Sequence, residues 1–321
     1  MTDIGQLSTL LIYGAMAAYA VALVSFAVDL SGLRDGGPEG RRRKAVGIAM
    51  STTWVGAALH LAGVVTRAIA AGRVPWANMY EFSTLFSLVA ILVFLGLTRT
   101  RDLRFLGTFV VGLTLLMLGI AVSVLYVRAD GVQPALDSYW LIIHVSIATI
   151  ATGVLAIGAV LSVVQLVQER SELRRVRAST EVSEPALVGA TGGATGGGSP
   201  AAGAMTGRWS KLMESAPTSA EFERLAFRLN AVGFMLWTFT IIAGAIWAEH
   251  AWGRPWGWDP KETWSFVIWV VYAAYLHARS TRGWEGRRAA YLSIFGFVCV
   301  LANYFVVNLV FNSLHSYSGI G

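Results

Sequence analysis

Cysteine, charge and histidine are all scarce in this chain of 321 residues. Its one cysteine, Cys299, lies in an apolar run. A lone cysteine excludes a disulfide within the chain, a C-x-x-C redox pair and a C-x-x-C-H site for covalent haem attachment. Charged residues make up 14% of the sequence against 55% hydrophobic ones, and the mean hydropathy is +0.58. That balance lies outside the range of soluble globular proteins and points to a multi-span membrane protein. Acidic residues form no run inside the apolar stretches, which argues against a proton-coupled transporter. No basic segment precedes the first apolar stretch and no A-x-A site follows it, so it reads as a retained span rather than a cleaved signal.

Long apolar sequence is abundant. Crossing the hydrocarbon takes about 20 such residues. Eight stretches meet that length: 7–28, 46–71, 79–97, 105–127, 139–167, 225–248, 262–278 and 289–311. With the N-terminus outside, 20 of the 25 lysines and arginines fall on the inner side. The remaining five, Arg67, Arg73, Arg128, Arg254 and Lys261, lie outside or in outer halves of spans. This is the asymmetry that the positive-inside rule requires. It also removes nucleic acid as a partner, because the net charge of +6 is spread over four loops as topology signals.

The expected fold is an all-α polytopic protein of the cell membrane, with eight transmembrane helices and both termini outside. Residues 169–223 form the one long connection, expected on the cytoplasmic side. It opens with charged, helix-like sequence from Glu169 to Arg177, then passes into Gly192-Gly193-Ala194-Thr195-Gly196-Gly197-Gly198-Ser199, which is flexible-linker composition. The linker divides the chain into five spans over 1–168 and three over 224–321. No internal repeat relates the two groups.

Between the sixth and seventh spans, the loop over 249–265 carries Trp252, Trp256, Trp258 and Trp264, four indoles in thirteen residues. Interfacial anchoring explains one or two of them, since Trp pairs an apolar body with an N–H that needs a partner. Asp259 is placed as a helix N-cap, Pro260 as first helical residue, and Glu262 completes a capping box. What remains is a platform of indole faces with Arg254 and Lys261 beside it. Such a surface suits a large flat apolar ligand with anionic edges, and a porphyrin with two propionates meets that description. A second outer stretch, Pro75-Trp76-Ala77-Asn78-Met79-Tyr80-Glu81, repeats the N-cap and acid spacing at Asn78 and Glu81.

The five histidines divide by depth. His144 lies just inside the outer end of the fifth span, and His315 follows the eighth span at the same level. Either alone reads equally as an interfacial histidine bonded to backbone. As a pair flanking the Trp platform, two imidazoles can hold a haem iron axially. His277, near the inner end of the seventh span, supports two readings: a residue reaching the interface beside Arg279, or a ligand to a second iron with its partner missing from this chain. His60 is an orphan in the second span, and His250 reads as solvated. No span holds two histidines, which argues against a bis-histidine electron-transfer cytochrome.

The run from Trp252 to Trp264 resembles the tryptophan-rich "WWD" signature of the haem-handling proteins of cytochrome c maturation. Within that superfamily the chain is most similar to the CcsA/ResC type of the system II pathway, also labelled CcsB. The 75–81 stretch, Trp140-Leu141-Ile142-Ile143-His144-Val145 and the Leu314-His315-Ser316-Tyr317 tail carry the same resemblance. It implies a protein that, with a ResB-type membrane subunit, presents haem b on the extracytoplasmic face to the C-x-x-C-H segment of apocytochrome c, as a holocytochrome c synthase (haem lyase). It also implies that His144 and His315 are the external ligands and that His277 pairs with a histidine of the ResB-type subunit. The tryptophans, Asp259, Arg254 and Lys261 would form the haem-binding loop, and no residue is assigned as catalytic. Two other classes fit the same sequence: a haem exporter or chaperone without lyase activity, and a structural assembly factor whose tryptophans only anchor it.

Overall fold

The computed structural model describes residues 3–35, 39–129, 138–183, 217–311 and 314. Helices follow one another as α1 (Asp3–Asp35), α2 (Glu39–Ala71), α3 (Met79–Thr100), a 3₁₀ turn (Arg104–Leu106), α4 (Gly107–Ser123), α5 (Tyr139–Ser183), α6 (Ser219–Trp252), α7 (Pro260–Arg282) and α8 (Arg287–Val310). No strand occurs among the described residues. Seven segments, with the 3₁₀ turn joined to α4, are long and apolar enough to cross a membrane. The all-α, multi-span expectation holds on that basis. The segment outside that set is α7, which has 23 residues and spans about 34 Å. Its length suffices, but Trp264, Trp269, Tyr272, Tyr275 and His277 dilute its apolar character.

Large apolar side chains face outward along the helices, among them Leu10 (65% exposed), Leu116 (61%), Phe239 (60%) and Phe295 (55%). Water would penalise such a surface, whereas lipid solvates it. Inside, one core gathers Tyr19, Phe26, Ile91, Phe94, Leu161 and Phe222 from α1, α3, α5 and α6. A second joins α5 to α8 through Leu155, Trp237, Ile268, Tyr272 and Val300. Small residues let backbones approach within these cores. A Cβ at Gly56 on α2 would come within 2.6 Å of the Tyr19 ring.

Helix α5 runs to Ser183, through the charged segment that opens the expected linker, and α6 already begins at Ser219. At 45 residues α5 is about 68 Å long, far more than a bilayer needs. The Gly-rich part of the linker lies outside the described residues. The expected fourth span runs to residue 127, but α4 stops at Ser123. The chain beyond it instead delivers the Val127 carbonyl to Arg67 Nη2 at 2.6 Å.

Arg67 belongs to a buried ion triad where α2 ends and α3 begins. Its Nε lies 2.9 Å from Glu81 Oε1, and Arg73 Nη1 lies 2.7 Å from Glu81 Oε2. Glu81 also accepts from the Ala77 amide at 2.9 Å. The Arg67 guanidinium is further placed 5.1 Å from the Tyr80 ring centre. Removing one member of such a cluster strands the others in low dielectric. Glu81→Ala is therefore expected to destabilise the protein by about 3–5 kcal/mol, seen as a lower melting midpoint in detergent. Arg43→Ala, which breaks the exposed pair with Glu39, is the control and should leave the midpoint unchanged.

Candidate functional site

The Trp-rich loop is set by its two helix ends. Helix α6 stops at Trp252 because Gly253 adopts φ 68°, a left-handed cap that glycine takes without strain, and its N–H reaches the Glu249 carbonyl at 2.9 Å. Helix α7 starts at Pro260, with Asp259 as N-cap and the capping box between Asp259 and Glu262 formed as its sequence requires. Between the caps, Trp258 has φ 59°, the one positive φ outside glycine among the described residues. A bulky residue there is strained, so the surrounding bonds must hold it.

Those bonds converge on Glu262. Its Oε2 accepts from the Gly257 amide at 2.8 Å and the Asp259 amide at 3.0 Å. Its Oε1 lies 3.6 Å from Arg254 Nη1, an ion-pair distance rather than a hydrogen bond. The Arg254 guanidinium covers Gly257 so closely that an added Cβ would fall 1.3 Å from Nη1. Asp259 Oδ1 accepts from the Leu314 amide at 3.0 Å, which joins the segment after α8 to the loop.

Behind the loop lies a cavity of about 1300 Å³, its open mouth included. On α5 its lining runs from Leu141 to Thr152, about 16 Å along the helix axis. The α5 and α6 walls are mostly apolar, with Val145, Ala148, Ile241, Ala245 and Ala248. The α7 and α8 walls are polar, with Lys261, Glu262, Ser265, Asn303 and Asn308. Trp256 and Trp76 contribute an indole each, from the loop before α7 and the loop before α3.

His144 is on the apolar wall. Its Nδ1 lies 2.8 Å from the Thr240 carbonyl, and its ring stacks on Trp247 at 6.3 Å and 11°. A carbonyl can only accept, so Nδ1 donates and the neutral ring keeps its lone pair on Nε2. That is the tautomer a metal ligand needs, with its other nitrogen fixed by a backbone oxygen. Gly244 makes room for the ring, since a Cβ there would approach His144 Cε1 to 2.7 Å.

The other predicted residues are placed as follows. Trp252 packs on Trp247 at 4.7 Å, one layer behind His144. Trp258, 66% exposed, meets Trp256 edge-on at 5.6 Å on the rim. Trp264 packs into the core below the loop. Lys261 lines the cavity, whereas Arg254 is held against Glu262 and stands outside the lining. His277 is exposed on α7, sixteen residues beyond Lys261 and so about 24 Å away along the helix. His315 lies outside the described residues. His60 is fully buried beside Tyr19, 3.3 Å from its hydroxyl, and His250 turns its Nδ1 to the Ile246 carbonyl.

Sequence alone does not reveal Trp247, Thr240, Asn303 or Asn308. Their roles depend on which helix each one faces. The resemblance between these two loops was more accessible. Each has an arginine, a Pro-Trp pair, a capping Asn or Asp and an acid three residues on, and each acid accepts the amide that follows the tryptophan.

Comparison with known proteins fixes the family. The family described as "Cytochrome C assembly protein" matches residues 76–315. The chain belongs to that family. It is of the CcsA type: the cytochrome c biogenesis protein CcsA of Gloeobacter violaceus is 36% identical over 285 residues, covering 81% of this chain and 83% of that one. CcsA of Synechococcus elongatus is 37% identical, with 78% and 81% covered. The match to CcsA of Synechococcus sp. CC9902, 39% identical, covers 57% of each chain. Among solved structures, the cytochrome c haem lyase CcmF superposes with a TM-score of 0.64 at 14% identity. All of this chain is covered but only 49% of CcmF, so this likeness speaks to the fold.

Because Glu262 ties the loop's amides together, Glu262→Ala should release them. Hydrogen exchange measured by mass spectrometry is expected to speed up at Gly257 and Asp259 by tenfold or more, in line with about 1–3 kcal/mol per orphaned bond.

Proposed function

We propose that the cavity receives haem b as a bound substrate and presents it, on the extracytoplasmic side of the cell membrane, to the C-x-x-C-H segment of apocytochrome c. The observation that carries this reading is the His144 imidazole, its Nδ1 held by the Thr240 carbonyl, on the wall of an open cavity whose lining runs about 16 Å along α5. His315 is the second axial ligand in this reading. Trp252, Trp256 and Trp258 pack the macrocycle or its surroundings, Trp264 supports them, and Asp259 holds the loop's helix start. Arg254 and Lys261 are the loop's two cations, Arg254 against Glu262 and Lys261 on the cavity wall.

Haem would bring its own iron and vinyl groups, to which the two thiols of the acceptor add. The chain contributes positioning, exclusion of water and control of iron ligation. No group in the cavity is placed as a general base. A ResB-type subunit is the partner in this reading. The exposure of His277, which leaves its face of α7 open to a second polypeptide, supports that assignment. Haem then enters near His277 and moves outward to the cavity.

The test is co-expression of the full chain with a ResB-type subunit and a reporter apocytochrome. Wild type is expected to purify with a Soret band and to yield covalent haem on the reporter. His144→Ala and His315→Ala should each remove the external haem. Gly244→Ala keeps the imidazole but displaces it, and should lower haem content about tenfold. Added imidazole should restore the band in His144→Gly. Normal reporter maturation in the doubly substituted protein would favour a structural assembly factor. Free haem outside without attachment would favour an exporter.

A further inference from the structure

We propose that Lys261 is the residue that recognises a carboxylate of the bound porphyrin, and that Arg254 is not. This rests on the reading of the cavity as a haem site and assigns its polar edge. Both cations flank the Trp-rich loop, but the structure gives them different surroundings. Arg254 is directed into the loop: it faces the carboxylate of Glu262 at 3.6 Å and lies over Gly257, outside the cavity lining. Lys261 is on the cavity wall, half-buried.

The hydrogen bonds of Lys261 Nζ go to the Asn303 carbonyl and to Asn308 Oδ1, both at 2.9 Å. These two acceptors are neutral, so they orient the ammonium without neutralising it. An ammonium has three N–H donors, and two of them are used here. The nearest carboxylates in sequence are otherwise engaged: Asp259 takes the backbone amides of Lys261 and Leu314, and Glu262 takes those of Gly257 and Asp259. The third donor therefore remains for a ligand in the space that Lys261 lines.

The opposite wall is apolar apart from His144, Thr152 and Thr240. A ligand with one carboxylate edge and an otherwise apolar ring is thereby oriented: carboxylate toward α7 and α8, ring against α5 and α6. Arg254 has an indirect part in this arrangement. By facing Glu262 it compensates a carboxylate that also lines the cavity and that would otherwise repel the incoming anion.

The experiment is a Soret titration of the detergent-purified full chain with haemin and with haemin dimethyl ester, whose carboxylates are blocked. Wild type is expected to bind haemin about tenfold more tightly than the ester, the scale of one charge-assisted contact. Lys261→Met should bring haemin down to the ester's affinity, Lys261→Arg should keep the preference, and Arg254→Gln should keep the ratio between the two. Equal affinities in wild type, which needs no substitution and so no question of folding, would overturn the proposal. A preference that survives Lys261→Met, or collapses in Arg254→Gln, would do the same. Failure of wild type to bind either porphyrin would instead remove the haem reading itself, and this assignment with it.

Discussion

A carboxylate at the first turn of a helix, gathering the amides of the loop before it, is what both loops at the mouth of the cavity depend on. Glu262 does this for the Trp-rich loop and Glu81 for the 72–78 loop. Both loops carry irregular backbone at the edge of a bilayer, where an unbonded amide costs several kcal/mol. A helix start answers this locally, because its own amides are also unpaired and its dipole favours a negative charge. The two acids differ in their compensation. Glu81 is fully enclosed with two arginines, whereas Glu262 has one guanidinium at 3.6 Å and an edge on the cavity. One loop is closed by its own ion pairs, and the other keeps a charged edge on the cavity.

That difference explains how a bundle of lipid-facing helices can hold a polar-edged cavity. Helices α5 and α6 are packed through small residues and present an apolar face. Helix α7 interrupts that pattern with lysine, glutamate, serine and several aromatics, and it is the segment that misses the apolar threshold for a span. Its polarity is turned toward α8, where Asn303 and Asn308 meet Lys261. A polar group inside a membrane helix is tolerated where a neighbouring helix answers it.

Much of this was legible in the sequence. Apolar length gave the helices, and the capping pattern at Asp259–Glu262 and Asn78–Glu81 located two starts to the residue. Boundaries were less legible where tertiary contacts decide them. Helix α4 ends at Ser123 and the chain beyond it brings the Val127 carbonyl to Arg67, a pairing across sixty residues that no local signal announces. In the site, His144 was readable as a histidine at the right depth, but its tautomer is set by Thr240, ninety-six residues away. The division of labour between Arg254 and Lys261 was likewise open, because spacing places two cations beside one loop without saying which faces inward.

The geometry also bears on why the loop is strained. Trp258 is held at φ 59° between a glycine that the Arg254 side chain overlies and an aspartate that caps α7. Relaxing that residue would shift the Gly257 and Asp259 amides on either side of it. Both bond to Glu262, so the strain is balanced by the same carboxylate that Arg254 faces. Trp256 lies two residues before Trp258 and lines the cavity, and Lys261 lies two residues after the cap and does too. The strained turn therefore fixes an indole and an ammonium relative to one another, on a loop that would otherwise be too irregular to hold either. Packing residues alone would permit the indole to turn away. The carboxylate clamp is what makes the spacing between the apolar and cationic contacts a property of the fold.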